Sequence, residues 1–194
     1  MDDRLENILR NIRQLEDELL AEMDKKKKEF LYEVHEKRVR FSQEIKAQHK
    51  KLHEGTLRYI AGISLRNLAT APAIGLCMVA AVIMDLIVSL YQFFCFPVYG
   101  IPKVRRGEYI VVDRQYLSYL NPLEKISCAL CGYFNGVVAY AQEVAARTEQ
   151  HWCPIKHARK MMALHSRYEK FIDYGDAVNY RGDFEKVRNS FDDI

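Results

Sequence analysis

Three cysteines and one histidine gather in the C-terminal half of the chain as Cys128-Ala-Leu-Cys131 and Cys153-Pro-Ile-Lys-His157, a C-x2-C-x21-C-x3-H pattern. Three thiolates and an imidazole make a closed tetrahedral set, which suits a structural zinc ion more than a catalytic one. Iron is the alternative metal for the same four residues, and Cys128 with Cys131 alone could serve as a redox dithiol. A plainer reading makes the two cysteines small buried residues on a helix, with Gly132 and Gly136 forming a small-xxx-small contact. The spacing contains its own test. If 123–150 were one unbroken helix, Cys131 and Cys153 would lie about 33 Å apart along its axis, beyond the reach of one ion. The metal reading therefore requires a break at Gly132–Gly136, or a second protomer.

A second chemically notable residue is Asp85, the one charged side chain between Arg66 and Lys103. An ionised carboxylate in the middle of a membrane segment costs about 2.5–3.5 kcal/mol, so it needs a partner. The segment offers no Lys, Arg or His. The expected partners are a hydroxyl, a backbone carbonyl, a second Asp85 sharing a proton, or a basic residue of another subunit. Elsewhere, Glu143, Arg147 and Glu149 have the spacing of helical ion pairs. His151 and His165 read as solvated side chains, and Trp152 as a core anchor beside Cys153.

Positioning these residues requires elements that the sequence marks out in order. The chain has 194 residues, and 29 Lys and Arg against 26 Asp and Glu leave a net charge of +3, too small to argue for a nucleic-acid partner. Five cysteines behind a charged N-terminus, without a secretory signal, make a disulfide framework an unsuitable reading. Residues 1–66 read as an amphipathic, coiled-coil helical arm. Leu5, Ile8, Ile12, Leu15 and Leu19 recur at heptad spacing, Lys25 to Lys28 interrupt, and the stripe resumes in a shifted frame at Val34, Phe41, Ile45 and Leu52. A helix so long needs a partner helix or a membrane surface to cover its apolar stripe. Residues 67–102 read as a membrane segment crossing once, in preference to a hairpin with its apex at Asp85, because 82–88 holds no turn-forming residue. Tyr91, Phe93, Phe94, Phe96 and Tyr99 suit a headgroup boundary. Residues 103–174 read as a small helical domain, with a strand at Glu108–Asp113 and helices over Val137–Gln150 and from Pro154 to about Tyr174. Residues 175–194 read as a polar tail. The expected fold class is mainly α, with at most one short strand.

Tyr116, Leu120-Asn121, Cys128-x2-Cys131, Asn135-Gly136, the run Ala145-Ala146-Arg147-Thr148-Glu149-Gln150 and the string Trp152-Cys153-Pro154-Ile155-Lys156-His157-Ala158 resemble a family of uncharacterised proteobacterial membrane-associated proteins. The resemblance covers about a third of the chain. It implies a bacterial source and carries no activity and no catalytic residue.

The function expected from these residues is that of a membrane-anchored, homo-oligomerising scaffold or interaction protein. Its partners would be membrane lipids, further copies of itself and another membrane protein, and it would not be an enzyme. The alternative is a membrane-associated redox or iron-dependent component built on Cys128, Cys131, Cys153 and His157. The expected location is the bacterial inner membrane. Unbridged cysteines place the C-terminal domain on the cytoplasmic side.

Overall fold

The computed structural model describes residues 3–29, 32–35, 38–41 and 43–192. They are mainly helical and divide into two units, one of residues 1–62 with 113–128 and one of residues 63–112 with 129–194.

The first unit begins with helix α1 (Asp3–Glu29), whose mid-helix stripe residues Ile12, Leu15 and Leu19 are all exposed. The side chains of Leu5, Ile8, Val34, Lys27 and Lys28 lie outside the described part. The arm is not one helix over 1–66, because the next described residues after Glu29 form strands. Strands β1 (Tyr32–His35) and β2 (Arg38–Phe41) pair antiparallel, with Tyr32 opposite Phe41 and His35 opposite Arg38. The heptad frame shifts here because Tyr-x-Val and Val-x-Phe repeat every second residue, the period of a strand. Helices α2 (Gln43–Lys51) and α3 (Thr56–Gly62) follow. The His49 ring stands edge-on between Phe41 and Tyr119, with centroids 5.2 and 5.0 Å away. Asn121 and Glu124 cap helix α6 (Pro122–Trp152) reciprocally. The Asn121 side chain accepts from the Glu124 amide at 3.0 Å, and the Glu124 carboxylate accepts from the Asn121 amide at 2.8 Å. That exchange satisfies two amides the helix start would leave open, and Pro122 adds no third.

The second unit is built on α4 (Leu65–Tyr99), 35 residues without a turn at Asp85. Its end is set by Gly100, which takes a left-handed φ of 70° while Ile101 donates to the Phe96 carbonyl at 2.9 Å. The chain then turns back along α4 as a strap, Ile101–Val112. The strap includes one helical turn, α5 (Arg106–Tyr109). Glu108–Asp113 is thus not a strand: Glu108 and Tyr109 belong to the helical turn, Ile110 is extended, and Ile110 to Asp113 pair in no ladder. From residue 129 to Trp152, α6 runs parallel to α4 on the far side of the strap. Asp85 meets Tyr133, Gln92 meets Tyr140, Tyr91 meets Thr148, and the Tyr99 ring stacks on His151. Phe96, Ile101, Val104, Tyr140 and Val144 form the buried core of this sandwich.

Gly132 and Gly136 do not break α6. They let the strap approach: a Cβ on Gly136 would stand 2.8 Å from both the Ile110 Cα and the Tyr109 carbonyl oxygen, and one on Gly132 3.4 Å from the Val111 carbonyl oxygen. Close backbone approach accounts for both glycines. The helix expected from Pro154 to Tyr174 is also absent. Lys156 donates to the Ile172 carbonyl and Ile172 to that of Pro154, both at 2.8 Å, so amides a helix would use bridge two extended segments. Helix α7 (Ala177–Arg188) closes the chain, capped by the Asp176 side chain.

Candidate functional site

Asp85, Ser89 and Gln92 share one face of α4, because offsets of three and four residues return to the same side of a helix. That face meets the strap and α6. Arg106 of the strap grips Asp85 with both arms of its guanidinium, Nε to Oδ1 at 2.8 Å and Nη2 to Oδ2 at 2.6 Å. The Tyr133 hydroxyl donates to Asp85 Oδ2 at 2.8 Å, and Ser89 reaches Oδ1 at 3.4 Å. Burial, together with this hydrogen bond, pushes the Tyr133 phenol above its ordinary pKa, so it stays protonated as the donor. The partner of Asp85 is thus a basic residue of its own chain joined by a hydroxyl, where the segment's lack of Lys, Arg and His had pointed to another subunit for any cation.

Gln92 does a different job. Its Oε1 accepts from the Val104 amide at 2.9 Å, and its Nε2 donates to the Val104 carbonyl at 3.2 Å and to the Tyr140 hydroxyl at 2.6 Å. The side-chain amide thus serves as a ladder partner for strap backbone buried between two helices, which would otherwise be left unpaired. Arg147 acts similarly one level further along. It is 5% exposed, pairs with Glu143 at 2.8 Å and donates to the Pro102 carbonyl at 2.8 Å. Ser166 donates to the other oxygen of Glu143 at 2.5 Å. The expected Glu143–Arg147 pair is therefore present, but buried and turned to holding the strap.

The tail is fastened to the end of α6. Gln150 donates to the carbonyls of Val187 and Ser190 at 2.9 and 2.8 Å, and Arg188 Nη2 lies 2.7 Å from His151 Nε2. Arg188 can donate to that nitrogen only while the imidazole is neutral. Burial, with the Arg188 charge adding to it, lowers the His151 pKa from its ordinary value. His151 is buried, and His165 lies 3.2 Å from Glu149, so neither is the solvated residue expected. Trp152 is 53% exposed, against Tyr99 and His151, and does not anchor a core.

The four residues expected to bind zinc or iron are not brought together. Cys131 projects from an exposed position on an unbroken helix, and Cys153 follows the end of that helix 22 residues later, about 33 Å along the axis at 1.5 Å per residue. Cys128 lies one turn before Cys131. His157 stacks on the Tyr168 ring, and its backbone amide donates to the Tyr168 hydroxyl at 2.7 Å. Among the described residues no group of three or more His, Cys, Asp and Glu is placed to hold a metal ion. The continuity of α6 is the reason, and it follows from the packing role of the two glycines.

Arg106, Tyr133 and Gln92 are the site residues that spacing alone did not reveal. Two signals were available: Ser89 and Gln92 as further polar residues on the Asp85 face, four and seven positions on, and the basic turn at Lys103–Gly107 within reach of the helix it follows.

One described helix, α4, is long and apolar enough to cross a membrane. Comparisons of the chain with protein-family models, with curated proteins and with solved structures gave no match.

Proposed function

We propose that the chain is a membrane-anchored, non-enzymatic scaffold, with α4 as its anchor and α1 as an arm that joins it to further copies. The observation that carries this reading is the bare half of α4. From Leu65 to Ala80 every residue except Met78 is exposed, including Leu68, Ile74, Leu76 and Val79. An apolar rod of this kind, uncharged after Arg66, is unfavourable in water at about 25 cal/mol per Å² and suits a bilayer. The polar site supports the same reading. Its carboxylates and guanidiniums are matched to each other and to backbone, which fits a brace better than a reaction centre. The exposed stripe of α1 at Ile12, Leu15 and Leu19 supports the arm.

The test uses the full chain reconstituted into phospholipid vesicles. Retention with the vesicles after alkaline carbonate extraction is the expected result, and release into the supernatant overturns the anchor. In detergent, the variant Ile12→Asp/Leu19→Asp should elute at smaller size with its helicity intact. An unchanged size removes the arm's role.

A further inference from the structure

The first unit holds a hollow whose lining side chains can all donate hydrogen bonds, two of them as cations. It has a volume of about 480 Å³ and is lined by Lys46, Lys50, His53 and Ser118. Lys46, Lys50 and His53 follow one another at offsets of four and three, so α2 and the residues just past its end present all three on one side. Ser118 comes to that side because the neighbouring Tyr119 ring packs edge-on against His49, with centroids 5.0 Å apart. Both chain segments belong to the unit that joins 1–62 with 113–128. Two plainer reasons for such a cluster fall short. Cations suit the last turn of a helix, where α2 carries His49, Lys50 and Lys51, but Lys46 lies ahead of that turn. Ion pairing is the other reason, yet among the described residues no carboxylate pairs with Lys46, Lys50 or His53, and Glu54, next in the chain, lies 3.8 Å from Arg58 instead. Lys46 and Lys50 stand one turn apart, where like charges repel, so the pair is unfavourable until an anion lies between them.

The chemistry of the donors selects the anion. A planar carboxylate is matched by the fork of a guanidinium, and the hollow has none, whereas ammonium groups act as point charges and suit the tetrahedral oxygens of phosphate. We infer that this hollow binds a phosphate group between Lys46 and Lys50, with His53 and the Ser118 hydroxyl as further donors. Soluble phosphate and a phospholipid headgroup offer the same group. Leu52 and Leu57 flank His53 in the chain and are 75% and 84% exposed, which favours the headgroup, since apolar side chains beside a basic site enter the acyl boundary. The site does not depend on α4 crossing the bilayer.

Lysine footprinting tests the assignment. The full chain in maltoside micelles is acetylated at constant ionic strength, and the rate at each lysine is read by mass spectrometry. One probe is inorganic phosphate. The other is short-chain phosphatidic acid in the micelle, compared with short-chain diacylglycerol, which lacks the phosphate. Lys46 and Lys50 should be acetylated several-fold more slowly, while the exposed Lys26 and Lys51 keep their rates. Protection by both probes assigns the hollow to phosphate from either source, and protection by phosphatidic acid alone assigns it to the headgroup. Protection by neither overturns the inference, and so does equal protection of Lys26 and Lys51, which would reduce it to diffuse attraction. Lys50→Gln should raise the phosphate concentration that half-protects Lys46 by about tenfold, the effect of losing one charge-assisted hydrogen bond. Ser118→Ala should raise it less, and Lys26→Gln not at all. An unshifted Lys50→Gln chain with unchanged circular dichroism would also overturn the site.

Discussion

The two halves of α4 are both largely apolar, yet they are solved in opposite ways. From Leu65 to Ala80 the helix stands free of the rest of its unit, while from Ala81 to Tyr99 it buries Ala81, Asp85, Gln92 and Phe96 along one face. The difference comes from side chains that a hydropathy profile counts as interruptions. Asp85 and Gln92 fix a strap that has only one helical turn of its own, and the strap in turn seats α6. Asp85 and Gln92, the buried polar residues of the helix, mark where chain is packed against it, while Arg66, Asn67 and Thr70 in the other half stay exposed.

The comparison is broken most severely by removing the charge that closes the strap from the other side. Arg147→Met leaves Glu143 buried without its principal partner and the Pro102 carbonyl unpaired, so a loss of about 3–5 kcal/mol is expected. Thermal unfolding should show a lower midpoint with protease cleavage in 101–112. An unchanged midpoint would mean that the strap is held without the pair.

A glycine exchange sharpens the contrast. Gly136→Ala brings a methyl group to 2.8 Å of the Ile110 backbone, and overpacking of this kind costs about 1–3 kcal/mol. Gly75→Ala, in the bare half, meets nothing within 4 Å and should leave the midpoint unchanged or slightly raised. Equal shifts in denaturation would refute the division of α4 into a free and a braced half.

The smallest effect is a matter of pH. The folded-state pKa of His151 lies below its ordinary 6.5, so the unfolded chain takes up this proton more readily. The associated stability is fully present above pH 6.5 and is lost as pH falls through the depressed value, where a protonated ring can no longer accept from Arg188. Hydrogen exchange over 184–191, corrected for the intrinsic pH dependence of amide exchange, should therefore accelerate relative to that over 137–146 as pH falls from 7 to 5. His151→Gln, which still accepts a hydrogen bond, should flatten that difference, and persistence of the acceleration in this variant would assign it to another group.

Much of this architecture was legible in the chain. The apolar run, the helical stretch Val137–Gln150 and the Glu143–Arg147 spacing are local signals, and each corresponds to a described element or contact. Much of what local reading missed has one physical root: the strap. A strand pattern at Glu108–Asp113 and two glycines in α6 look like separate features until the chain doubles back, after which each explains the other. The cysteine and histidine spacing suggested a metal for the same reason, since only tertiary packing shows that Gly132 and Gly136 leave the helix whole. The hairpin at Tyr32–Phe41 was overlooked because its alternation is short and sits inside a longer heptad pattern.

The route by which the strap closes has a kinetic side. Gln92 and Val104 are 12 residues apart, Asp85 and Arg106 are 21 apart, and the contacts of α4 with Tyr133 and Tyr140 span 48. Loop closure costs about 0.6 kcal/mol for each doubling of length, so bringing up α6 carries roughly 1.2 kcal/mol more entropy loss than folding the strap back on Gln92. The order of synthesis acts in the same direction, because Val104 and Arg106 are made before Tyr133 exists. A half-built chain can thus pair its own strap early and hold the Tyr109–Val111 edge open as a template, on which the glycine face of α6 settles last.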